Sequence, residues 1–403
     1  MTQLKRSFLT VLVSLLIMIP GLSHGAEQSD FQVWLKDLRI DASKRGVSEA
    51  TFEAALGGVE PIVRVIELDR SQPEFTLTFW KYLNGRVNTK RITRARKLLA
   101  KHGPLLNRIA KKYGVQPQYL VAFWGLESNF GDYTGVFPVS GALVTLAFDP
   151  RRGKFFREQL LAALELMEKG DIPTTVKGSW AGAMGNTQFI PTTYKAYAVD
   201  GDGDGLRDLW KSLPDVFASS ANYLAQSGWK AGERWGREVK LPKTFNYALA
   251  DGKIRKSIEG WAALGVMRAD GGPLPKDDGT IRASLSLPAG HRGPAFLAYQ
   301  NYRSILIWNR SHLYAVAVGH LADRISGAGG LLAKRPKKEQ PLSREDISEI
   351  QRHMLRLGFD PGGTDGVIGP KTRHAIRLFQ KKAHLPADGF ADFGLLERLK
   401  SIN

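Results

Sequence analysis

Apolar residues recur at helical spacing from early in the chain. Phe31, Trp34, Leu35 and Leu38 fall at i, i+3, i+4 and i+7, one buried face of a helix. The spacing predicts helices through residues 28–115, basic ones such as Ile92 to His102 among them. More helices, alternating with Gly-rich turns, are expected from Gln116 to Gln188. A helix from about Pro214 to Ser227 has Ser212 as its start signal and Gly228 as its stop. From about Glu233 to Leu287 the pattern changes. Pro and Gly break it up, and Ile281-Arg282-Ala283-Ser284-Leu285 alternates, which predicts a small mixed α/β insertion over about 233–290. Helix returns near Pro294 and again from Ser311 to Arg324. Ser326-Gly327-Ala328-Gly329-Gly330, followed by Lys334-Arg335-Pro336-Lys337-Lys338, reads as an exposed linker over 326–341. A compact module of about 60 residues, 342–403, closes the chain. The predicted fold class is mainly α (α+β), one large domain over 26–325 and a small one behind it.

The start of the chain does not fit this scheme. Lys5 and Arg6 precede Phe8 to Met18, a run of 11 mostly apolar residues that Pro20 breaks, and Ser23-His24-Gly25 puts small residues where a signal peptidase reads. Residues 1–25 are therefore expected to be a cleaved signal peptide. The run is too short to span a membrane comfortably, so no stable membrane anchor is expected after cleavage. Hydrophobic content of 43% and charged content of 24% are ordinary for a soluble globular chain of 403 residues. With no cysteine there are neither disulfides nor a lipid-modified N-terminal cysteine. Disulfide-free export fits a bacterial periplasm. The formal charge of +18 becomes +16 when Lys5 and Arg6 leave, and favours polyanionic partners. Among these, export makes nucleic acid the poorest choice beside an anionic membrane or a cell-wall polymer.

Four segments carry candidate chemistry. In Phe123-Trp124-Gly125-Leu126-Glu127-Ser128-Asn129-Phe130-Gly131, helical spacing puts Phe123, Trp124 and Phe130 on the face of Glu127. A carboxylate among aromatic rings is poorly solvated, which favours its neutral form and suits a general acid. On spacing alone it could equally be an ordinary helix-end glutamate. In Gly178-Ser179-Trp180-Ala181-Gly182-Ala183-Met184-Gly185-Asn186-Thr187-Gln188-Phe189-Ile190-Pro191, the glycines permit close backbone approach and no Lys-Ser/Thr follows, so no phosphate cradle forms. Gln188 suits a hydrogen bond to a sugar N-acetyl group, or a satisfied core amide. Asp200-Gly201-Asp202-Gly203-Asp204-Gly205-Leu206-Arg207-Asp208 matches the first three quarters of an EF-hand loop, with Lys211 where the closing Glu should stand. Asp200, Asp202, Asp204 and Leu206 are candidate ligands of a structural calcium. Asp215 either closes a longer loop or caps the following helix within Ser212-Leu213-Pro214-Asp215. Finally, in Ile307-Trp308-Asn309-Arg310-Ser311-His312-Leu313-Tyr314-Ala315, Ser311 could cap a helix, leaving Trp308 and Asn309 on its entry loop to hold a sugar ring. Trp308 could equally be core. The eight histidines show no close pair at zinc-ligand spacing, and there is no Gly-x-Ser-x-Gly elbow.

In this order the four segments resemble the membrane-bound lytic murein transglycosylase B family, the lysozyme-like enzymes of glycoside hydrolase family 103, over roughly residues 30–325. The most specific pieces are Gly125-Leu126-Glu127-Ser128, Gly182 through Pro191, the Asp-rich loop through Asp208-Leu209-Trp210, and Trp308-Asn309-Arg310-Ser311 with Tyr314-Ala315. The resemblance implies a lysozyme-like helical catalytic domain in which Glu127 is the sole catalytic carboxylate. Ser179, Gln188, Asn309 and Tyr314 would line a glycan groove, with Phe189 as an apolar wall. Arg151 and Arg152 would stand near the stem peptide, where guanidinium groups could fork onto its carboxylates, or form a solvated basic turn. Family members often carry Tyr-Asn where this chain has Trp308-Asn309, so a phenol hydrogen bond is not carried over. The tail resembles a three-helix peptidoglycan-binding domain through Asp365-Gly366-Val367-Ile368-Gly369-Pro370-Lys371-Thr372 and Leu385-Pro386-Ala387-Asp388-Gly389.

The activity implied is non-hydrolytic cleavage of the β-1,4 bond between N-acetylmuramic acid and N-acetylglucosamine, with 1,6-anhydro ends and no cofactor needed for the chemistry. Peptidoglycan is the expected partner and a monomer the expected state. Two rivals remain: a muramidase in which water replaces the C6 hydroxyl, and a wall-binding protein without activity.

Overall fold

The computed structural model describes residues 21–71, 77–276, 279–336 and 340–402. The expected signal peptide lies outside the described residues up to position 20. Positions 21–25 form the first turns of helix α1 (Gly21–Lys44). No helix of the described residues is long and apolar enough to cross a membrane.

Among the described residues, six helices lead up to the one that carries Glu127: α1, α2 (Glu49–Leu56), α3 (Val63–Arg70), α4 (Phe79–Arg86), α5 (Thr89–Lys101) and α6 (Gly103–Tyr113). Then comes α7 (Pro117–Ser128), with proline in its first turn where a missing N–H costs nothing. Tyr119 to Leu126 are all buried, so α7 is apolar on every side and runs through the middle of the domain. It stops at three successive residues in the left-handed region: Asn129 (φ 53°), Phe130 (φ 65°) and Gly131 (φ 85°). For Phe130 that conformation is costly, and packing holds it there. Its ring stands edge-on to Trp124 at 5.6 Å, with the Arg94 guanidinium 5.0 Å over its centre. A Cβ at Gly125 would sit 2.7 Å from the same ring, so this turn needs glycine there.

After β1 (Phe137–Pro138) come α8 (Val139–Phe148), α9 (Gly153–Glu168), β2 (Lys177–Gly178), α10 (Pro191–Tyr197) and α11 (Leu213–Gln226). Two cores result. One gathers Phe79, Leu120, Phe123, Phe217 and Val316; the other gathers Phe31, Leu38, Phe52, Leu143, Leu160 and Phe189. Trp308 packs against both, which places it on the seam between them.

The predicted insertion is present, but its sheet is antiparallel and five-stranded, in the order β4-β6-β7-β3-β5. The strands are β3 (Gly236–Lys240), β4 (Lys256–Ser257), β5 (Met267–Arg268), β6 (Arg282–Ser286) and β7 (Ala295–Ala298), with the short helix α12 (Ile258–Ala262) between β4 and β5. Strand β7 lies beyond the expected boundary at 290, where helix was predicted near Pro294. Ala-Phe-Leu-Ala is a short, wholly buried apolar run, which periodicity cannot assign to strand or helix. Helix resumes only at α13 (Gln300–Trp308), followed by α14 (His312–Ile325), whose cap is Ser311 as expected.

The linker is less free than its composition suggests. Lys337 and Lys338 lie outside the described residues, but the Leu332 and Ala333 amides donate to the Glu238 carboxylate on β3, and Leu331 and Ala333 pack on the core. Beyond it, α15 (Arg344–Arg356), α16 (Pro370–Lys382) and α17 (Phe393–Lys400) enclose their own core of Ile350, Met354, Ile376, Phe379 and Leu396. Two matching locks hold its turns. Gln351 accepts from the Gly366 amide and donates to Asp365; Gln380 accepts from the Gly389 amide and donates to Asp388. The module docks on the insertion through Asp388, which accepts from the His291 amide (2.8 Å) and pairs with its Nδ1 (2.7 Å), and through Arg377, which donates to the Ala250 carbonyl.

Candidate active site

Glu127 is the residue of its helical stretch that is not fully buried, and it opens on the seam where Trp308 lies. One of its oxygens, Oε1, takes two donors. The Trp308 indole Nε1–H donates to it at 2.8 Å, and the Tyr314 hydroxyl donates to it as well. The indole supplies the hydrogen bond that a phenol was not expected to make here. Burial, and then the charge of Glu127, hold the Tyr314 phenol well above its ordinary range, so it stays a donor at any working pH.

The aromatic surround expected from helical spacing is only partly the one found. Phe123 does stand by the site, its ring 4.5 Å from that of Trp308. Trp124 instead turns its indole to Asn186 (2.7 Å), and Phe130 packs on Trp124. The remaining rings come from far along the chain. Phe189 lies 5.3 Å edge-on to Trp308, and Tyr223 stacks on Trp308 at 5.1 Å with Tyr197 behind it at 4.4 Å. Sequence reasoning missed Tyr223, Tyr197 and Asn186, since nothing in their local pattern separates them from core. Phe189 is 2% exposed, so it supports Trp308 from beneath rather than forming a wall.

Ser179 and Gln188 belong to the glycine-rich segment that also carries Phe189. The Ser179 hydroxyl accepts from the Ala181 and Ala183 amides, leaving its own proton to give. Gln188 sits in the left-handed region (φ 51°), and its amide nitrogen donates to the Thr134 and Gly185 carbonyls. Its nitrogen is a satisfied amide, while its oxygen accepts no hydrogen bond among the described residues. Asn309 Oδ1 accepts from the Ser311 amide, which fixes the entry to α14.

Arg151 and Arg152 are tied to the protein itself. Both pair with the buried carboxylate of Asp69 on α3, and Arg151 also donates to the Asp69 carbonyl. The next acidic residue after Glu127, Asp132, is taken by Arg94 and Asn129. His312 is no alternative base: burial first, then the module residues Arg373 and Arg377, push it down to about 4, and it is bonded to the Tyr302 hydroxyl at 2.7 Å.

The Asp-rich loop joins the site through one amide. Asn186 accepts from Trp124 and donates to the Leu209 and Trp210 carbonyls, just past that loop. Asp200, Asp202 and Asp204 each place a carboxylate oxygen within 4.8 Å of the others, a donor set suited to a hard cation. Asp215 does not belong with them. It is buried inside the loop, with one oxygen on the Gly201 amide and the other on the Asp208 amide, both at 2.7 Å. Nor does it complete a capping box: Ser212 accepts from its amide, but its own carboxylate is spent on the loop. Asp215→Ala is expected to lower stability by about 2–3 kcal/mol, because two amides lose a charged acceptor. Chemical denaturation measures this, and an unchanged midpoint would remove Asp215 from its role.

Known proteins place this geometry. The pattern of the transglycosylase SLT domain family matches residues 30–323, and that of a peptidoglycan binding domain matches 343–399. Membrane-bound lytic murein transglycosylase B of Escherichia coli (strain K12) is 34% identical over 228 residues, 55% of this chain and 60% of that protein. The match thus spans less than two thirds of that relative. The crystal structure of SltB3 from Pseudomonas aeruginosa in complex with NAG-anhNAM-pentapeptide superposes with a TM-score of 0.87 at 48% identity, covering 92% of this chain and 99% of that one. The lytic transglycosylase Slt35 of Escherichia coli in complex with calcium gives a TM-score of 0.62 at 28% identity, over 73% of this chain and 92% of that one. Matched over residues 30–323 and sharing this fold, the chain belongs to the transglycosylase SLT domain family.

Proposed function

We propose that this chain is a peptidoglycan lytic transglycosylase that cleaves the β-1,4 bond between N-acetylmuramic acid and N-acetylglucosamine and leaves 1,6-anhydro ends. The observation that carries the reading is Glu127 itself, which opens on the seam with its Oε1 held by the Trp308 indole and the Tyr314 hydroxyl. A carboxyl group so oriented can give a proton to the departing glycosidic oxygen and then take one back.

In the first step Glu127 protonates the linkage oxygen as the C1–O bond breaks. The substrate's own N-acetyl oxygen stabilises the developing cation at C1, and the Gln188 oxygen and the Ser179 hydroxyl would hold that group. In the second step the Glu127 carboxylate takes the proton of the muramoyl C6 hydroxyl, whose oxygen closes on C1. A retaining hydrolase would need a second carboxylate about 5 Å away. The two donors on Glu127 Oε1, Trp308 and Tyr314, are neutral groups. Digesting sacculi with the full chain and weighing the products tests the reading. Anhydro ends are one water lighter than reducing ends, and a digest of reducing ends would make the protein a muramidase.

The relative in complex with calcium supports a cation in the Asp-rich loop of this chain too. Asp200, Asp202, Asp204 and the Leu206 carbonyl would hold it, without Asp215. It would keep three mutually repelling carboxylates together and so hold Leu209 and Trp210 against Asn186. Calcium at 100 times its Kd should stabilise the fold by about 2.7 kcal/mol, read as a rise in Tm that chelator reverses. A Tm indifferent to both would rule the site out. The signal-peptide reading of residues 1–25 and the proposed substrate together support a periplasmic enzyme.

A further inference from the structure

From Val87 to Leu126 the chain has nine Lys and Arg and no acidic residue. Three of the nine are held by the fold. Arg94 pairs with Asp132, Arg96 donates to the Arg324 and Ile325 carbonyls, and Arg91 donates to the Gly85 and Arg86 carbonyls. The other six, Lys90, Lys97, Lys101, Arg108, Lys111 and Lys112, are exposed and make no ion pair among the described residues. Lys90, Lys97 and Lys101 share one face of α5 with Arg94, at i, i+7, i+11 and i+4. That stripe is about 16 Å long, and on α6, the next helix in the chain, Arg108, Lys111 and Lys112 fall at i, i+3 and i+4.

The stripe starts beside the site. Arg94 reaches Asp132, which also accepts from Asn129, two residues past Glu127, and Lys90 acts on the same carboxylate. The loop there exposes Tyr133 (61%) and Val136 (57%). Between residues 87 and 126, by contrast, no large hydrophobic side chain is exposed among the described residues. A helix that lies on a membrane needs an apolar face to bury, and α5 and α6 offer cations alone.

We propose that this basic face extends the substrate groove and binds an anionic peptide: the carboxylates of peptidoglycan stem peptides on strands that run past the cutting site. The proposal rests on the lytic transglycosylase reading and assigns the stem peptide to a surface away from Arg151 and Arg152, which share the Asp69 carboxylate.

The test is the triple variant Lys90→Gln, Lys97→Gln, Lys101→Gln in the full chain. Glutamine is a good helix former at exposed positions, so Tm should hold. Two readouts are compared: cleavage of intact sacculi, and cleavage of soluble disaccharide-peptide fragments too short to reach the stripe. At low salt the variant should lose about tenfold on sacculi, and the loss should shrink at high salt as screening removes the advantage of wild type. Fragment turnover should stay within about twofold, which checks the underlying activity in the same experiment. The triple Lys→Arg variant should behave as wild type. Equal loss on both substrates, or none on either, would overturn the proposal. So would wild-type binding to phosphatidylglycerol vesicles that the substitutions abolish while sacculus cleavage is unaffected.

Discussion

Glu127→Gln is expected to slow cleavage of sacculi by at least about three orders of magnitude while leaving sacculus binding intact. General acid or base help is worth about 10²–10⁴-fold in a single step, and here one side chain serves two. Glutamine keeps the shape of the residue, and its Oε1 can still accept from Trp308 and Tyr314. What it lacks is a proton to deliver and a charge to take one back. The C-terminal module and the rest of the groove are unchanged, so pull-down with sacculi should match wild type. Residual activity above about a tenth would mean that another group does the chemistry, and His312 and Asp132 are already engaged elsewhere.

The second large effect concerns the two donors. Each hydrogen bond to a charged group is worth about 1.5–3 kcal/mol, so Tyr314→Phe should lower kcat by about ten- to a hundredfold. Adding Trp308→Phe should deepen the loss, whereas Trp308→Tyr, which keeps a donor, should recover part of it. The split between kinetic constants separates this role from substrate binding: kcat should fall while KM stays within about twofold. A raised KM with kcat unchanged would show that Tyr314 and Trp308 do not act through Glu127.

Much of the scaffold was legible because local signals and tertiary structure agree. Ser212 and Ser311 accept from the amides three residues on, as N-caps do, and the helices run as the spacing predicts. The Ala295–Ala298 run was misread because a buried central strand shows no alternation. The insertion boundary went wrong with it. The linker looked free because its Gly and Lys content hides the two amides that Glu238 holds.

The active site divides the same way. Glu127 and its partner motifs were visible as short patterns, and the family resemblance set them in order. The reason for its polarity was not visible, because Trp308 and Tyr314 stand 181 and 187 residues away. Arg151 and Arg152 looked like ligands for an anion because sequence cannot show that Asp69, 82 residues back, is already that anion. Asp215 was expected either to bind a cation or to complete a cap, and it does neither, since the loop backbone needs both of its oxygens first.

The central claim is that one carboxylate acts as acid and then as base, with the substrate's own C6 hydroxyl in place of water. Cleavage of sacculi in water enriched in oxygen-18 tests it most directly. The account predicts anhydro products that carry no label, because no solvent oxygen enters the new C1–O bond. One labelled oxygen at the newly formed muramoyl end would contradict it.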